Sequence, residues 1–284
     1  MFLKNMKINL NQTNLISFKT SNRKLRMNSQ GKVVSNSDKR YFNADFHKLL
    51  YENTTSFFRY DLKTAHQDVY APNSFWDGNW IGFRRTIANY FKDVSKVNVY
   101  DFACSDGSEA YSLILSLIEE LGEETSLKFF PIQAFDIDKT IIKIAQSGVI
   151  PCDIDDIRRI SENLKNKTKS NYYQISSDPN NALKTSFTAS DKLKEKVNFK
   201  LSDIQSQIDN INPTNSLVLC RNFWPYLSQS DRQQTFKRLC DKLDETSLIV
   251  IGYFDTSAIK LPFEEYGYQE ICPFVYKKVP NNSF

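Results

Sequence analysis

From residue 97 onward, short apolar runs rich in β-branched and aromatic residues alternate with stretches that are apolar at helical spacing, and this alternation restricts the chain to a layered α/β architecture. Residues 97–103 (VNVYDFA) read as a buried strand, followed by a turn and a helix over 110–121. Residues 129–135 (FFPIQAF) read as a second strand ending at Asp136, with a helix over 140–146 stopped by Gly148 and Pro151. Residues 216–220 (SLVLC) form another buried run. Ser228 with Asp231 three positions on starts a helix whose Phe236, Leu239, Cys240 and Leu243 share one face. Residues 248–254 are a further strand, and 273–279 (PFVYKKV) are expected to pair with it antiparallel at the sheet's end. The expected fold is α/β and Rossmann-like, a mostly parallel sheet with a terminal antiparallel strand, binding ligands at the carboxyl ends of its strands. Residues 172–190 carry two strand-like runs around Ser177-Asp178-Pro179-Asn180-Asn181, a small β-hairpin insert.

Composition narrows the ligand. The chain has eight glycines, no two of them separated by a single residue, so G-x-G-x-x-G is absent, as is a G-x-x-x-x-G-K-[ST] phosphate loop. An ordinary NAD enzyme and a P-loop NTPase are thereby disfavoured. Five scattered cysteines form no C-x-x-C pair, which suits a reducing compartment, and His47 and His66 are too few for a histidine-rich metal site. No metal is expected. No apolar stretch approaches the ~18 residues of a membrane span, and the chain reads as soluble and cytoplasmic, without membrane insertion or specific nucleic-acid binding. Residues 1–44 hold a charge of +8, leaving −4 for the remainder. That tail, rich in Asn, Ser and Lys, reads as a basic, disordered segment, either an arm for an anionic partner or an organellar presequence or simply solvated. The organisation expected is thus 1–44 tail, 45–94 short helical segment, and 95–284 ligand-binding domain with its β-insert at about 165–195.

The loop after the first strand, Asp101 to Glu109, is crowded by Asp101, Asp106 and Glu109 and has one glycine. A phosphate would want backbone N–H groups without acids beside them, so a cationic ligand is favoured. The second strand ends in Asp136-Ile137-Asp138, where an acid can accept both ribose hydroxyls of a nucleoside. A nucleoside with positive charge and no phosphate describes S-adenosylmethionine. Structural alternatives stand beside these readings: Asp101 or Asp106 caps the helix that begins near Ser108, Asp138 caps the next, and the domain has no catalytic role.

At these residues the chain resembles the CheR-type chemoreceptor glutamate methyltransferases, of the class I methyltransferase fold. The family's ACSxGEExYS loop is matched by ACSDGSEAYS at 103–112, its A-T-D-I-D strand end by AFDID at 134–138, its C-R-N-V-x-x-Y-F segment by CRNFWPYL at 220–227, and its N-x-T-x-F-F-R by NTTSFFR at 53–59. The resemblance implies that Asn53, Thr55 and Arg59 fold over the methionine end of the cofactor, that Glu109 binds its amino group and that Asp136 holds the ribose. It further implies that Asp203 and Ile204 meet the adenine, that Ala103, Arg221 and Asn222 line the cofactor, and that Tyr226 faces the transferred methyl. For Arg59 and Tyr226 the plainer alternatives are a surface ion pair and a core aromatic. Departures are Ser108 for the first acid of G-E-E, Asp101 for a small residue, and Asp203 for Asn. Ala103 and Ser105 stand where a general class I loop carries glycines.

The chemistry implied is transfer of a methyl group to a glutamate carboxylate of a protein, possible without a general base because such a carboxyl has a pKa near ~4.3 and is already ionised. Positioning then supplies most of the catalysis, with Arg59 orienting the acceptor and Tyr226 donating a hydrogen bond. The expected partner is a protein, of chemoreceptor type, met by a monomer. The aromatic insertion at 73–80 and the short, polar segment before residue 45, where the family has a helical receptor-contacting domain, leave two other readings open: a small-molecule acid as acceptor, and a cofactor-sensing or partner-binding module without catalysis.

Overall fold

The computed structural model describes residues 80–152, 154–164, 169–178, 181–252, 255 and 259–280, together with the backbone of three short strands between residues 16 and 34. Those strands, β1 (Ile16–Thr20), β2 (Arg23–Met27) and β3 (Val33–Val34), pair antiparallel in the order β1-β2-β3. They fall in the segment whose composition predicts a disordered tail. Their register sets Phe18 opposite Leu25 and Ile16 opposite Met27.

Helix α1 (Trp80–Tyr90) leads into β4 (Asn98–Phe102), α2 (Ser108–Leu121), β5 (Ile132–Asp136) and α3 (Lys139–Ser147). The insert follows: β6 (Val149–Cys152), α4 (Ile154–Asn163), β7 (Tyr173–Asp178) and β8 (Asn181–Ala189). The chain then returns through β9 (Val197–Leu201), β10 (Ser216–Cys220), α5 (Gln229–Lys242), β11 (Leu248–Ile251), β12 (Tyr268–Cys272) and β13 (Val275–Lys278). The main sheet has the order β12-β13-β11-β10-β4-β5-β9. Its members from β9 to β11 are parallel, and β13 runs antiparallel to β11 as expected. Edge strand β12 went unforeseen because only its ends, Tyr268 and Cys272, are buried, so it lacks strand periodicity.

Burial along β10 and β11 follows the two-residue period of a strand. Leu217, Leu219, Leu248 and Val250 join the core beneath α1, α2 and α3, whereas Val218, Cys220, Ile249 and Ile251 join the one beneath α5, with Phe236 and Leu239. Each fully buried aromatic, such as Phe83, Phe91, Phe129 or Phe236, contributes roughly 2 kcal/mol, whereas exposed ion pairs such as Lys192–Glu123 are screened by water, so these two cores hold the sheet. Arg84 ties α1 across the first core, donating to Glu120 of α2 at 3.1 Å and to the Asn163 carbonyl of α4 at 2.8 Å.

The insert is a three-stranded antiparallel sheet, β6-β8-β7. Its hairpin β7–β8 was legible in the sequence, but β6 was not, because Pro151 reads as a breaker. An edge strand tolerates proline, which is where β6 lies. Helix α3 ends as expected at Gly148, which adopts φ +69° and donates to the Ile144 and Ala145 carbonyls.

The turn from β4 into α2 is the most constrained stretch of backbone. Ala103 (φ +59°) and Ser105 (φ +52°) both occupy the left-handed region that glycine adopts without strain. Gly107 (φ +86°) has no such latitude for replacement, since an added Cβ would lie 2.7 Å from the Phe199 ring. Gly107→Ala should therefore cost at least about 2 kcal/mol, whereas Ala103→Gly should stay within about 1 kcal/mol of the parent because relief of strain offsets added chain entropy. Urea unfolding of the two variants checks this ordering.

Candidate functional site

The order reversal of the main sheet lies between β4 and β10, and the residues singled out in the sequence collect around the carboxyl ends beside it. Ala103 and Cys104 leave β4, Asp136 ends β5, Asp203 follows β9, Arg221 and Asn222 follow β10, and Gly252 follows β11. The parallel register carries this out. Asp101 is aligned with Ala134 and Leu219, so the acids and bases of three loops emerge at one edge.

Asp136 organises two of those loops. It is 2% exposed, and its oxygens accept from the backbone N–H groups of Ser105 (3.0 Å) and Asp138 (2.9 Å). The strained β4–α2 turn is thus fastened to the end of β5 by the acid expected to hold a ribose. Asp138 takes the structural alternative: it caps α3, accepting from Thr140 and Ile141. Asp106 accepts from the Ser108 N–H at 3.0 Å at the start of α2. Asp203 caps the single turn Ile204–Gln207 through the Ser206 N–H, and Ile204 packs with Phe102 and Phe135.

Glu109 and Arg221 are brought together from 112 residues apart. The Arg221 guanidinium forms an ion pair with Glu109 on the first turn of α2, and its carbon lies 5.6 Å from the centre of the buried Trp80 ring. Beneath them Asp101 is completely buried, and neither of its carboxyl oxygens has a hydrogen-bond partner. Burial, and then the neighbouring Glu109, push its carboxyl well above the usual carboxylate range despite Arg221. Two ionised acids have no hydrogen to share. A proton held on Asp101 gives it a donor toward Glu109.

Nucleophilic cysteine chemistry has no support here. Burial and the fields of Asp101, Asp136, Asp106 and Glu109 push the Cys104 thiol up, and burial followed by Asp255 does the same at Cys220, so both stay protonated. Tyr226, in the 3-10 turn Trp224–Tyr226, is raised by burial and by Asp255 and remains a neutral phenol able to donate. Asn53, Thr55 and Arg59 lie outside the described residues.

Two participants escaped the sequence reading. Trp80 opens α1 and places its ring under Arg221, where the sequence shows only one of several aromatics in an insertion. Asp255 is completely buried and accepts from Asn222, Trp224 and Gly252 N–H groups. Its one signal was an acid three positions after the glycine that ends a buried strand.

The donor set fits a ligand with a nucleoside at the β5 end and a positive charge near Asp101 and Glu109, since a cation favours ionisation of two neighbouring acids and a phosphate disfavours it. Because the Asp101 carboxyl is raised, the folded state binds its proton more tightly than the unfolded chain does, and stability contributed by that proton fades as pH rises above the ordinary Asp value of ~3.9. Asp101→Asn removes this loss. Its thermal midpoint relative to the parent should rise between pH 5 and pH 8; a fall over that range would contradict the burial of a strained acid.

Residues 75–266 match the family described as CheR methyltransferase, SAM binding domain. The chain is 25% identical over 185 residues to the chemotaxis protein methyltransferase of Borreliella burgdorferi, covering 65% of this chain and 59% of that protein. It is 21% identical over 162 residues to chemotaxis protein methyltransferase 2 of Vibrio cholerae, covering 56% of this chain and 51% of that protein. The chain thus spans between half and three fifths of the length of these curated relatives. A solved SAM-dependent methyltransferase from Anabaena variabilis is similar at 14% identity with a TM-score of 0.35, over 76% of this chain and 62% of that one. The family match covers well over half of the 284 residues, from just before α1 to the crossover before β12, and on it this chain belongs to the CheR methyltransferase family, whose cofactor is S-adenosylmethionine.

Proposed function

We propose that this chain transfers a methyl group from S-adenosylmethionine to a carboxylate of a protein, a glutamate side chain of the chemoreceptor type. The observation that carries the reading is the completely buried Asp101 carboxyl beside Glu109 in a loop dominated by acids, which suits a ligand bringing positive charge and no phosphate. When bound, S-adenosylmethionine supplies a methyl group on a positively charged sulfur. In this reading Glu109 binds the amino group, Asp136 the ribose hydroxyls, and Asp203 with Ile204 the adenine. Ala103, Arg221 and Asn222 line the cofactor, and Asn53, Thr55 and Arg59 cover its methionine end.

The acceptor's chemistry explains what this site does without. A glutamate side chain with a pKa near ~4.3 is ionised at neutral pH, so no side chain has to remove a proton from it. Arg59 would orient that carboxylate, and Tyr226, held as a neutral phenol, would donate a hydrogen bond near the reacting atoms. What remains for the protein is alignment and exclusion of water.

A protein acceptor is supported by the insert. Its strand β7 is an edge, and an edge offers backbone groups to which a partner's extended segment can pair. The curated relatives named above are chemotaxis protein methyltransferases. Among the described residues no helix is long and apolar enough to cross a membrane, and the corresponding picture is a cytoplasmic monomer that meets its substrate protein from the aqueous side.

Calorimetric titration should show S-adenosylmethionine binding to the parent and at least about tenfold weaker binding to Asp136→Ala, equivalent to ~1.4 kcal/mol or more. Equal affinity would remove the ribose assignment. With methyl-labelled cofactor and a cell lysate, base-labile methanol should be released from the macromolecular fraction; its release from small molecules alone would transfer the activity to a small-molecule acid.

A further inference from the structure

The segment carrying Arg221 leaves β10 and reverses through Asn222, whose φ is +62°, before the 3-10 turn Trp224–Tyr226. A chain that turns so sharply off a parallel strand leaves N–H groups without sheet partners, and burying them unpaired costs about 1–3 kcal/mol each. Three N–H groups converge on one carboxyl. Asn222 donates to Asp255 Oδ2 at 2.6 Å, Gly252 donates to the same oxygen at 2.8 Å, and Trp224 donates to Oδ1 at 3.2 Å. The Asn222 side chain fills the space left at Gly252, where an added Cβ would fall 1.9 Å from its Oδ1. The exits of β10 and β11 are therefore closed upon each other by Asp255.

We infer that Asp255 is a positioning residue for the cofactor site: its ionised carboxylate fastens the Arg221–Trp224 segment so that Arg221 meets Glu109, and loss of that charge releases the segment and weakens S-adenosylmethionine binding. The link to the cofactor rests on the site assignment above, while the fastening itself is a property of the unliganded chain. An ionised carboxylate accepts all three N–H groups, whereas a protonated one turns an O–H toward donors and gives up an acceptor.

The change falls within reach of ordinary conditions. Burial holds the Asp255 carboxyl up at about 7, against the downward pull of the Gly252, Asn222 and Trp224 N–H groups and of Arg221. Among the described residues, Cys220 at the end of β10 and Tyr226 on the 3-10 turn also lie within its field, both pushed upward and neither changing charge between pH 5.5 and 8.5, while Asp101, raised on the other side of Arg221, is present alike in the parent and in Asp255→Asn. The charge on Asp255 appears as pH rises through about 7, so the segment is fastened above that pH and loosened below it.

The full chain labelled with 15N-tryptophan carries three tryptophan amides. In the unliganded protein the Trp224 backbone amide should shift with a midpoint near pH 7, the shift should vanish in Asp255→Asn, and Asp255→Glu should restore it. S-Adenosylmethionine affinity should be at least about fivefold higher at pH 8.5 than at pH 5.5 in the parent, and low at both in Asp255→Asn. An amide that does not titrate in the parent, or that titrates alike in Asp255→Asn, overturns the fastening. A titrating amide with pH-independent cofactor affinity overturns its link to the site. A titrating amide in a parent that binds no S-adenosylmethionine overturns the cofactor assignment and leaves the fastening in place.

Discussion

Everything at the carboxyl edge of the sheet depends on how the buried charges there are balanced. Arg221 lies between Glu109 and the Trp80 ring, with the unpartnered Asp101 below. Removing Glu109 leaves the buried Arg221 guanidinium without its partner charge, which a site out of water penalises. The pair spans the order reversal of the sheet and joins the first turn of α2 to the exit of β10. It therefore joins the two sides of the crevice at the sheet's order reversal.

Backbone hydrogen bonds to acids shape the rest of this edge. Asp136 holds the Ser105 and Asp138 N–H groups, and Asp255 holds those of Asn222, Trp224 and Gly252. Both acids sit where the chain turns through left-handed residues, Ala103 and Ser105 in one loop and Asn222 in the other. The chain keeps non-glycine residues in strained conformations by giving their loops charged acceptors, so the acids serve as structural anchors. A general class I loop reaches the same turn with glycines; here side chains at 103 and 105 are retained and the turn is fastened from outside.

The parallel strands β4, β5, β10 and β11 and their helices were legible because they are largely buried and bounded by clear signals, whereas β9, at the sheet's edge with Asn198, Lys200 and Leu201 exposed, was not read as a strand. The run 216–220 coincides with β10, and Ser228 caps α5 as its spacing indicates. Asp138 was equally readable as a cap. Elements at the edges were harder. Strands β6 and β12 carry Pro151 and a mostly exposed face, so neither shows the alternation of a half-buried strand. Of the residues gathered at this edge, Glu109 and Asp136 were singled out as acids following strands, and Arg221 and Asn222 by resemblance to a family alone. Asp255 and Trp80 were missed because nothing local distinguishes a buried acceptor or a ring beneath a guanidinium from surface residues of the same type.

By itself the sequence determined the layered α/β class, the order of the parallel strands along the chain, and the acidic character of the first loop, because periodicity and residue type are local properties. Only the tertiary structure decided which charges oppose one another. Glu109 and Arg221 are 112 residues apart, and Asp255 lies 33 beyond Asn222. Desolvation, which raises the Asp101 carboxyl and brings Asp255 to about 7, comes from the packing of several elements at once and is written in no single segment.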